Sequence, residues 1–552
     1  MTTILTLHDP GKAAALYASG VWQKDTLYTL LAQHAAERPN AYALRDRSRR
    51  ITWSALLAWT DAVAADLENA GLRNGSRVSV WLPNRVESII VFLACSRNGY
   101  VCNASLHQNY TVAEIVTLLN RIESEAFFGQ TGYGADAAQA DAPGSIATVA
   151  SMRRAWWLPP LEAQAQEGNF PRPDAGRRPV QAANLNPDKV TYLAFTSGTT
   201  GLPKAVMHSD NTLLANGRAM VKDWHHDANT ILLSLSPVSH HIATVGLEQA
   251  LAAGFEMVLN DVPQGMKPLD WILETGATYV MGVPTHAMDI LAEAKQRGLE
   301  GLGQVKVFYM AGSPIPPETA QSFLSRGVTP QNVYGMTENG SHQYTLPSDG
   351  ADTIVGTCGR ACAGFEVKLW TQDNPNVEVA PGEVGEIGSR GGNLMLGYFN
   401  NQSATEKCFN ADGWFLSGDL GRMDENGCLV IVGRKKDLII RGGHNIYPSS
   451  IEDRAITHPA VLKAAAFSVA DDRLGEKVCL AVILAHNIEL DGDAMLQHLN
   501  DAGLSKFDMP EYYIAMREFP LTASGKILKR ELMEWVKQKR IAPTPVRWTG
   551  GR

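Results

Sequence analysis

A nine-residue segment, Thr196–Lys204 (TSGTTGLPK), constrains this chain more than any other part of its sequence. It directly follows the apolar run Val190–Phe195, which predicts a buried strand that leads into a loop. Glycines permit backbone conformations closed to other residues, while hydroxyls and a lysine supply donors and positive charge. The segment therefore predicts a loop that binds a polyanion such as nucleotide phosphates. The residues concerned are Thr196, Ser197, Gly198, Thr199, Thr200, Gly201 and Lys204.

This segment, hereafter the phosphate loop, differs from the Walker sequence G-x-x-x-x-G-K-[ST]. Its glycines are three residues apart, Pro203 precedes the lysine, and Ala205 stands where the Walker loop has a Ser or Thr that binds magnesium. Taken alone, the segment is also compatible with a Gly/Thr-rich turn that carries an ordinary surface lysine. The rest of the chain must decide between the two interpretations.

Composition narrows the class of protein. A chain of 552 residues is too long for one core and predicts at least two domains. Its net charge of −8 argues against nucleic acid as the main partner, because phosphate-backbone binders need a basic surface, although a local basic groove for a nucleotide is still allowed. The first twenty residues contain Asp9, Pro10 and Lys12 instead of an apolar signal core, and no apolar run reaches membrane-spanning length. Seven scattered cysteines favour free thiols, so we expect a cytoplasmic protein without a membrane span.

The pattern of apolar residues predicts an α/β fold. Helical and strand patterns alternate over the first third, which is typical of parallel sheets covered on both faces. We expect a large N-terminal domain of two doubly wound α/β subdomains plus a small β subdomain over 363–433, and a small, mobile α+β C-terminal domain. The boundaries are 1–433, a hinge at 434–437, and 438–552. The stretch 132–188, rich in Ala, Pro, Gln and Gly, is interpreted as a long surface excursion.

Several further strings contain residues suited to nucleotide chemistry. In Tyr334-Gly335-Met-Thr337-Glu338 the aromatic ring is suited to a purine face, the Thr hydroxyl to a phosphate oxygen and the Glu carboxylate to Mg²⁺. Asp419 ends the string GWFLSGD, and a carboxylate there suits a ribose diol. Each string alone is also compatible with an ordinary exposed loop.

The string GRKKDLIIRGGHNIYP begins at Gly433. Arg434 is a permanent charge that can bridge ribose and phosphate oxygens. Farther along, PLTASGK displays Lys526 on a Ser-Gly turn before a predicted helix. Such an exposed lysine can neutralise charge that develops between two reacting anions. On charge alone, the string that begins at Gly433 is also compatible with a solvated basic hairpin, and Lys526 is also compatible with an ordinary surface lysine.

These strings, in this order, resemble the superfamily of adenylate-forming enzymes, which comprises acyl-CoA synthetases, peptide-synthetase adenylation domains and firefly luciferase. The resemblance covers essentially the whole chain and is closest to acid–CoA ligases. It implies that Tyr334 and Gly335 bind adenine, Thr337 the α-phosphate, and Glu338, together with Thr196, Mg²⁺. It also implies Asp419 on the ribose, and Lys526 as the adenylation lysine.

The resemblance further implies a hinge at Lys436 and Asp437 and a pantetheine tunnel beside Gly442 and Gly443. Gly312 and Ser313 belong to a small-residue turn, Ala311–Pro316, similar to the one that lines the adenine and acyl pocket in this superfamily. The segment Ser236–His241 resembles the one whose His guards the carboxylate pocket; His240 fits the spacing, and His241 is the competing residue.

The expected activity is therefore ATP-dependent activation of a carboxylic acid as acyl-AMP, followed by transfer to coenzyme A. The expected small molecules are the acid, ATP, Mg²⁺ and coenzyme A, with no nucleic acid, and a homodimer is compatible with this interpretation. Small residues around the expected acyl pocket favour a cyclic or aromatic acid or a medium-chain fatty acid. The alternatives are an adenylation enzyme that loads a carrier-protein thiol, an inactive nucleotide sensor, and a luciferase-like oxidase that shares the first step.

Overall fold

A computed structural model describes residues 4–161, 169–172, 178–196, 203–312, 315–486, 488–521 and 526–549. These residues form two compact units. The first unit contains residues 4–196, 203–367 and 389–409, and the second contains residues 368–388 and 410–549. Within the described ranges, no helix is long and apolar enough to cross a membrane.

Helices and strands alternate through most of the chain. The helices are α1 (Pro10–Ala18), α2 (Leu27–Glu37), α3 (Trp53–Asn69), α4 (Val86–Asn98), α5 (Val112–Arg121), α6 (Ala142–Ala147), α7 (Asp210–Trp224), α8 (His241–Ala253), α9 (Pro268–Thr275), α10 (Pro284–Gln296), α11 (Pro317–Leu324), α12 (Ala351–Gly356), α13 (Gln402–Lys407), α14 (Pro448–Ala455), α15 (Gly492–Asp501) and α16 (Lys529–Lys537). The strands are β1 (Tyr42–Arg45), β2 (Arg50–Thr52), β3 (Arg77–Trp81), β4 (Val101–Asn103), β5 (Ala126–Gln130), β6 (Arg154–Leu158), β7 (Val190–Thr196), β8 (Lys204–Ser209), β9 (Ile231–Ser234), β10 (Glu256–Leu259), β11 (Tyr279–Gly282), β12 (Val307–Met310), β13 (Thr329–Met336), β14 (Gly340–Tyr344), β15 (Arg360–Ala361), β16 (Phe365–Trp370), β17 (Gly385–Gly391), β18 (Phe415–Met423), β19 (Leu429–Arg434), β20 (Ile439–Arg441), β21 (His444–Ile446), β22 (Val461–Asp471), β23 (Gly475–Leu484), β24 (Tyr512–Met516) and β25 (Thr544–Pro545).

Two sheets organise the first unit. One has the order β6-β5-β3-β4-β7-β8, and its strand pairs are parallel except for the antiparallel pair β7–β8. The other has the order β15-β14-β13-β12-β11-β9-β10-β1-β2, with its six strands from β13 to β1 parallel. Because the carboxyl ends of parallel strands lie at one edge of a sheet, the loops that follow β9, β11 and β12 gather there.

Helix α8 covers one face of the nine-stranded sheet, and α7 packs on α8 at very short range. A Cβ atom added to Gly217 of α7 would lie 2.7 Å from the carbonyl carbon of Glu248 in α8. No side chain fits at that separation, so glycine is required at this crossing. On its sheet-facing side, α8 places the Gln249 Nε2 atom 3.5 Å from the sulfur of Met281 in β11.

The strand pairs β18–β19, β20–β21, β20–β23, β22–β23 and β24–β25 of the second unit are antiparallel, and β23–β24 is parallel. The first sheet of this unit has the order β16-β17-β18-β19. In its second sheet, β21-β20-β23-β24-β25, the strand β22 also pairs with β23 in a long antiparallel ladder. Side chains of β23 alternate between two cores: Val478 and Leu480 face the core that includes α14 and α15, and Cys479 faces the core that includes Leu532 of α16. Both faces of this sheet are therefore covered.

The predicted fold class is confirmed: the protein is a mixed α/β protein with several parallel strands in two sheets. The interpretation of 132–188 as a surface excursion is wrong in one respect, because it contains α6 and the strand β6, which pairs parallel with β5. Trp156 of β6 is fully buried, stacks on Phe128 at 4.5 Å between ring centroids, and donates its indole N–H to Asp66 at 2.7 Å. Packing of this indole outweighs the polar composition around it.

Candidate active site

The two strands that flank the phosphate loop are paired in register. Thr196 at the end of β7 faces Lys204 at the start of β8, and the Thr196 hydroxyl donates to the Lys204 carbonyl at 3.5 Å. This antiparallel pair holds both ends of the phosphate loop together. Ser197, Gly198, Thr199, Thr200 and Gly201 lie outside the described residues.

One buried aromatic side chain contacts two of the predicted charged residues. The Tyr398 hydroxyl donates to Oε1 of Glu338 at 2.9 Å, and the Lys204 ammonium lies 4.5 Å from the centroid of the Tyr398 ring. The backbone of this segment is fixed as well, because the Met395 N–H donates to the Glu338 carbonyl at 2.7 Å. Tyr398 is only 6% exposed, and burial followed by the charge of Glu338 raises its phenol pKa. Tyr398 therefore remains a neutral donor to the carboxylate at any physiological pH.

The loop that carries Thr337 is joined to β8 by a buried histidine. His208 contacts the Thr337 carbonyl through Nε2 at 2.6 Å and the Thr212 hydroxyl through Nδ1 at 3.0 Å. Burial lowers the His208 pKa to about 4, so the ring is neutral near pH 7. A neutral ring has one N–H, and the Thr337 carbonyl is an obligate acceptor, so Nε2 carries the proton and Nδ1 accepts from Thr212.

The remaining predicted residues of the first unit lie on strand ends and loops. Tyr334 and Gly335 belong to β13, and the Tyr334 ring meets His342 edge-on at 5.5 Å. Gly312 follows β12, whereas Ser313 lies outside the described residues.

Two adjacent histidines start α8, and they have different surroundings. His240 occupies the N-cap position, and its ring lies 6.2 Å from that of His107. His241 is stacked between Tyr192 at 5.8 Å and His208 at 5.6 Å. Burial lowers the pKa of His241 well below its usual value, and the neighbouring rings of His208 and His240 lower it further. His241 is thus part of the packed interior, and the role of His240 at the carboxylate pocket stays a prediction.

In the second unit, β18 and β19 bring Asp419 and Arg434 together. The two residues are register partners, and the Arg434 Nε atom lies 3.2 Å from Oδ1 of Asp419. A similar pair follows, in which the Lys435 ammonium lies 2.8 Å from Glu386 of β17. These carboxylates therefore lie beside cations at one end of the four-stranded sheet.

The predicted hinge residues lie in a single 3₁₀ turn, Lys435–Asp437. Desolvation and then the charge of Arg434 lower the Lys436 pKa. The next hairpin, β20–β21, turns on Gly442 and Gly443, whose φ angles of +58° and +86° lie in the left-handed region that favours glycine.

Lys526 is exposed in the second unit. It directly precedes Ile527, which forms an antiparallel bridge with Leu521, and α16 begins three residues later at Lys529. Its role as the adenylation lysine stays a prediction.

The structure thus gathers the predicted residues into two groups, one in each unit. In the first unit Lys204 and Glu338 both contact Tyr398, while Thr337 contacts His208; in the second unit Arg434 pairs with Asp419, and their charges act on Lys436. Sequence reasoning missed Tyr398, which contacts both Lys204 and Glu338. The signal present in the sequence was Gly397-Tyr-Phe399, an aromatic pair after glycine, which has no specific chemical meaning on its own.

Comparison with known proteins identifies the class. The profile of a family described as AMP-binding enzyme matches residues 31–399, and that of the AMP-binding enzyme C-terminal domain matches residues 450–526. The chain therefore belongs to the family of AMP-binding enzymes. No group of three or more metal-ligating side chains occurs in the described ranges.

Individual relatives narrow the class further. A medium-chain fatty-acid–CoA ligase of Escherichia coli is 28% identical over 98% of this chain and 96% of its own length. A 2-hydroxy-7-methoxy-5-methyl-1-naphthoate–CoA ligase of Streptomyces carzinostaticus is 30% identical over 95% of each. The crystal structure of ATP-bound MatB from Rhodopseudomonas palustris superimposes with a TM-score of 0.82 at 27% identity, over 93% of this chain and 99% of that one. The protein is thus an AMP-forming acid ligase.

Proposed function

We propose that this protein is an ATP-dependent acid–CoA ligase that acts on a cyclic or aromatic acid or a medium-chain fatty acid. The substrate carboxylate attacks the α-phosphorus of ATP, which forms acyl-AMP and releases pyrophosphate. The thiolate of coenzyme A then attacks the acyl carbonyl, which forms the thioester and releases AMP. The observation that carries this proposal is the contact of Tyr398 with both Lys204 and Glu338, in a chain that also pairs Asp419 with Arg434.

The first step brings two anions together, so its barrier is largely electrostatic. Lys526 neutralises the attacking carboxylate and the charge that develops at the α-phosphate. Lys204 and the phosphate loop hold the departing pyrophosphate, and Thr337 binds an α-phosphate oxygen. Asp419 and Arg434 orient the ribose, and Tyr334 and Gly335 the adenine.

Glu338 suits a magnesium ion that is shared with ATP. Mg²⁺ in nucleotide sites is commonly held by one or two carboxylates together with phosphate oxygens and water. Glu338 is a carboxylate only 9% exposed and oriented by a neutral phenol, which leaves its negative charge uncompensated by Tyr398. Glu338, with Thr196, would hold the ion, which supplies charge stabilisation at the phosphates.

Lys526 acts in the first step and the thiol of coenzyme A in the second, so the one must replace the other between the two steps. We propose that the 3₁₀ turn at Lys436 and Asp437 is the hinge for this exchange, because a short turn of this kind can absorb a large backbone rotation. Gly442 and Gly443 then provide a surface without side chains for the pantetheine arm of coenzyme A.

The class of acid follows from the relatives and from the residues of the expected acyl pocket. The two ligases described above act on a medium-chain fatty acid and on a hydroxylated naphthoate. The expected pocket is formed by 240–246, 281–284, 310–313 and 335–341, which contain several small residues that leave room for a ring or a medium chain. These small residues are Ala243, Gly246, Gly282, Gly312 and Gly340.

A screen of carboxylic acids tests the proposal. Purified protein, ATP and Mg²⁺ are incubated with each acid, and pyrophosphate release is measured with and without coenzyme A. Pyrophosphate release that depends on a cyclic, aromatic or medium-chain acid, with acyl-CoA as product when CoA is present, supports the proposal. Acyl-AMP formation without any turnover of CoA, combined with loading of a phosphopantetheinylated carrier protein, would assign the carrier alternative instead.

A further inference from the structure

The middle of α8 carries two polar side chains into the core of the first unit. Glu248 is 2% exposed and Gln249 is fully buried. Within the described ranges, Oε1 of Glu248 and Oε1 of Gln249 have no hydrogen-bond partner. A buried polar atom without a partner destabilises the folded protein, so its retention calls for an explanation.

Further polar groups surround this part of α8. Burial raises the pKa of the Tyr192 and Tyr309 phenols, and Glu248 lies close enough to raise both further when it is ionised. The Tyr309 hydroxyl is 2.7 Å from that of Ser341. Gln331 accepts from Tyr279 at 2.8 Å, while its Nε2 atom has no partner in the part of the chain that the structure describes. We refer to Tyr192, Glu248, Gln249, Tyr309 and Gln331 as the polar cluster.

The polar cluster lies next to the expected acyl pocket. Glu248 and Gln249 are on the helix that begins at His241 and continues through Gly246, the segment expected to line the pocket. Tyr309 precedes Met310 on β12 and is the register partner of Met281 on one side and Gln331 on the other. Tyr309 therefore lies one residue before the pocket segment 310–313 and contacts Ser341 of the segment 335–341, whereas Gln331 lies deeper, four residues before Gly335 on β13.

The carboxyl group of Glu248 has the character of a neutral donor. Burial raises its pKa well above the usual range, and in the described ranges no cation forms an ion pair with it. A protonated carboxyl group presents one O–H donor and one C=O acceptor. In a buried pocket, such a group discriminates in favour of a ligand that pairs with it, because a ligand without a matching group leaves it unsatisfied.

We propose that Glu248 determines substrate specificity and that the substrate is a carboxylic acid with a hydroxyl or oxo group at the end remote from its carboxylate. This inference rests on the ligase function proposed above and names the acid class within it. The remote oxygen atom would take the hydrogen bond that Glu248 Oε1 lacks, with Gln249 and Gln331 completing its surroundings. A ring or medium chain would span the distance from this oxygen to the reacting carboxylate.

The test compares matched acids with and without the remote oxygen. Suitable pairs are cyclohexanecarboxylate with 4-hydroxycyclohexanecarboxylate, benzoate with 4-hydroxybenzoate, and octanoate with 8-hydroxyoctanoate. The measured quantity is the ratio of kcat/KM for the hydroxylated acid to that for the plain acid, from pyrophosphate release. In the wild type we expect this ratio to exceed tenfold in at least one pair.

Three variants separate a role in specificity from a structural role. Glu248→Leu should lower the ratio at least tenfold, mainly through a higher KM for the hydroxylated acid, whereas Glu248→Gln should keep it within about threefold. The control Glu256→Gln alters another buried glutamate, which pairs with Arg50 at 2.7 Å outside the cluster, and should leave the ratio unchanged. If Glu248→Leu does not fold, Glu248→Met replaces it.

The outcomes are distinguishable. A ratio that is the same in wild type and in the folded Leu or Met variant overturns the inference, as does a wild type that prefers the plain acid in every pair. Both results leave the ligase function standing, because acids are still activated. Failure of every acid to support pyrophosphate release in the wild type overturns the ligase function itself and this inference with it.

Discussion

The two units hold the carboxylates proposed for ATP binding by different means. In the first unit, Glu338 is held by the hydroxyl of Tyr398, a neutral and buried group. In the second unit, Asp419 lies beside the guanidinium of Arg434, whose side chain is 39% exposed. Exposed ion pairs contribute little to stability, whereas a buried hydrogen bond to a carboxylate fixes geometry. Asp419 is as buried as Glu338, so the units differ in the partner: we expect a rigid framework for the phosphates in the first unit and accessible cations, Arg434 and Lys526, in the second.

The strongest test of this contrast removes an accessible charge. Lys526→Ala should lower acid-dependent ATP–pyrophosphate exchange by about a thousandfold, because one group that stabilises developing charge is worth about that much. Thioester formation from synthetic acyl-adenylate should stay close to wild type. The control is Lys529→Ala, which removes a nearby lysine paired with Glu452 at 2.7 Å. Equal loss of both half-reactions in the Lys526 variant would remove this role.

The next test concerns movement in the second unit. Lys436→Pro fixes φ within the 3₁₀ turn and restrains the residue before it. We expect thioester formation to fall about a hundredfold and adenylation to fall much less. Lys436→Ala removes the charge while the backbone stays free, so it should leave both steps nearly intact. A larger loss in adenylation than in thioester formation would contradict the hinge assignment.

A smaller effect is expected from the rigid framework of the first unit. Tyr398→Phe keeps the ring beneath Lys204 and removes the hydroxyl that Glu338 accepts from. The Mg²⁺ concentration for half-maximal adenylation should rise about tenfold, which corresponds to about 1.4 kcal/mol. The control is Tyr344→Phe, which breaks another hydrogen bond from a buried tyrosine to a carboxylate, that of Asp223, at 2.8 Å. An equal rise in both variants would show that the effect is not specific to Glu338.

The smallest effect concerns stability alone. His208 has a pKa of about 4 in the folded protein, below its ordinary value near 6.5, because it is buried. The unfolded chain therefore binds a proton first as the pH falls, and stability is lost between about pH 6.5 and 4. His208→Gln cannot titrate, so its deficit in unfolding free energy relative to wild type should shrink by about 2 kcal/mol between pH 7.5 and 5. Urea denaturation at the two pH values measures this, and an unchanged deficit would contradict burial of a neutral ring.

Sequence was most informative where the chemistry is local. The phosphate loop and the strings that contain Glu338, Asp419 and Arg434 are short runs of neighbouring residues, so their residue types and their order along the chain indicated them. The pairing of Asp419 with Arg434 was not predicted and emerged from the β18–β19 register. The alternation of elements likewise predicted parallel sheets, which the two large sheets confirm. The functional roles of these residues stay predictions until the variants above are measured.

The contacts that sequence did not reveal are distant along the chain. Tyr398 and Glu338 are 60 residues apart, and a tyrosine after a glycine has no distinctive signature. The Pro- and Ala-rich residues around β6 obscured its strand pattern in the sequence. The burial of Trp156 against Phe128, which marks the strand as part of the core, is evident only in the structure. Glu248 resembles a polar position on an amphipathic helix, because its burial is created by α7 and the sheet rather than by α8 itself.

The tight crossing of α7 and α8 has a consequence for how such an enzyme diversifies. Any side chain at Gly217 must displace the backbone at Glu248, since a Cβ there would approach its carbonyl carbon to 2.7 Å. Gly217 is not among the residues assigned to ATP, yet it sets the separation between α7 and the part of α8 that carries Glu248. If Glu248 has the role proposed for it, laboratory evolution for new acids should vary residues 217 and 248 together.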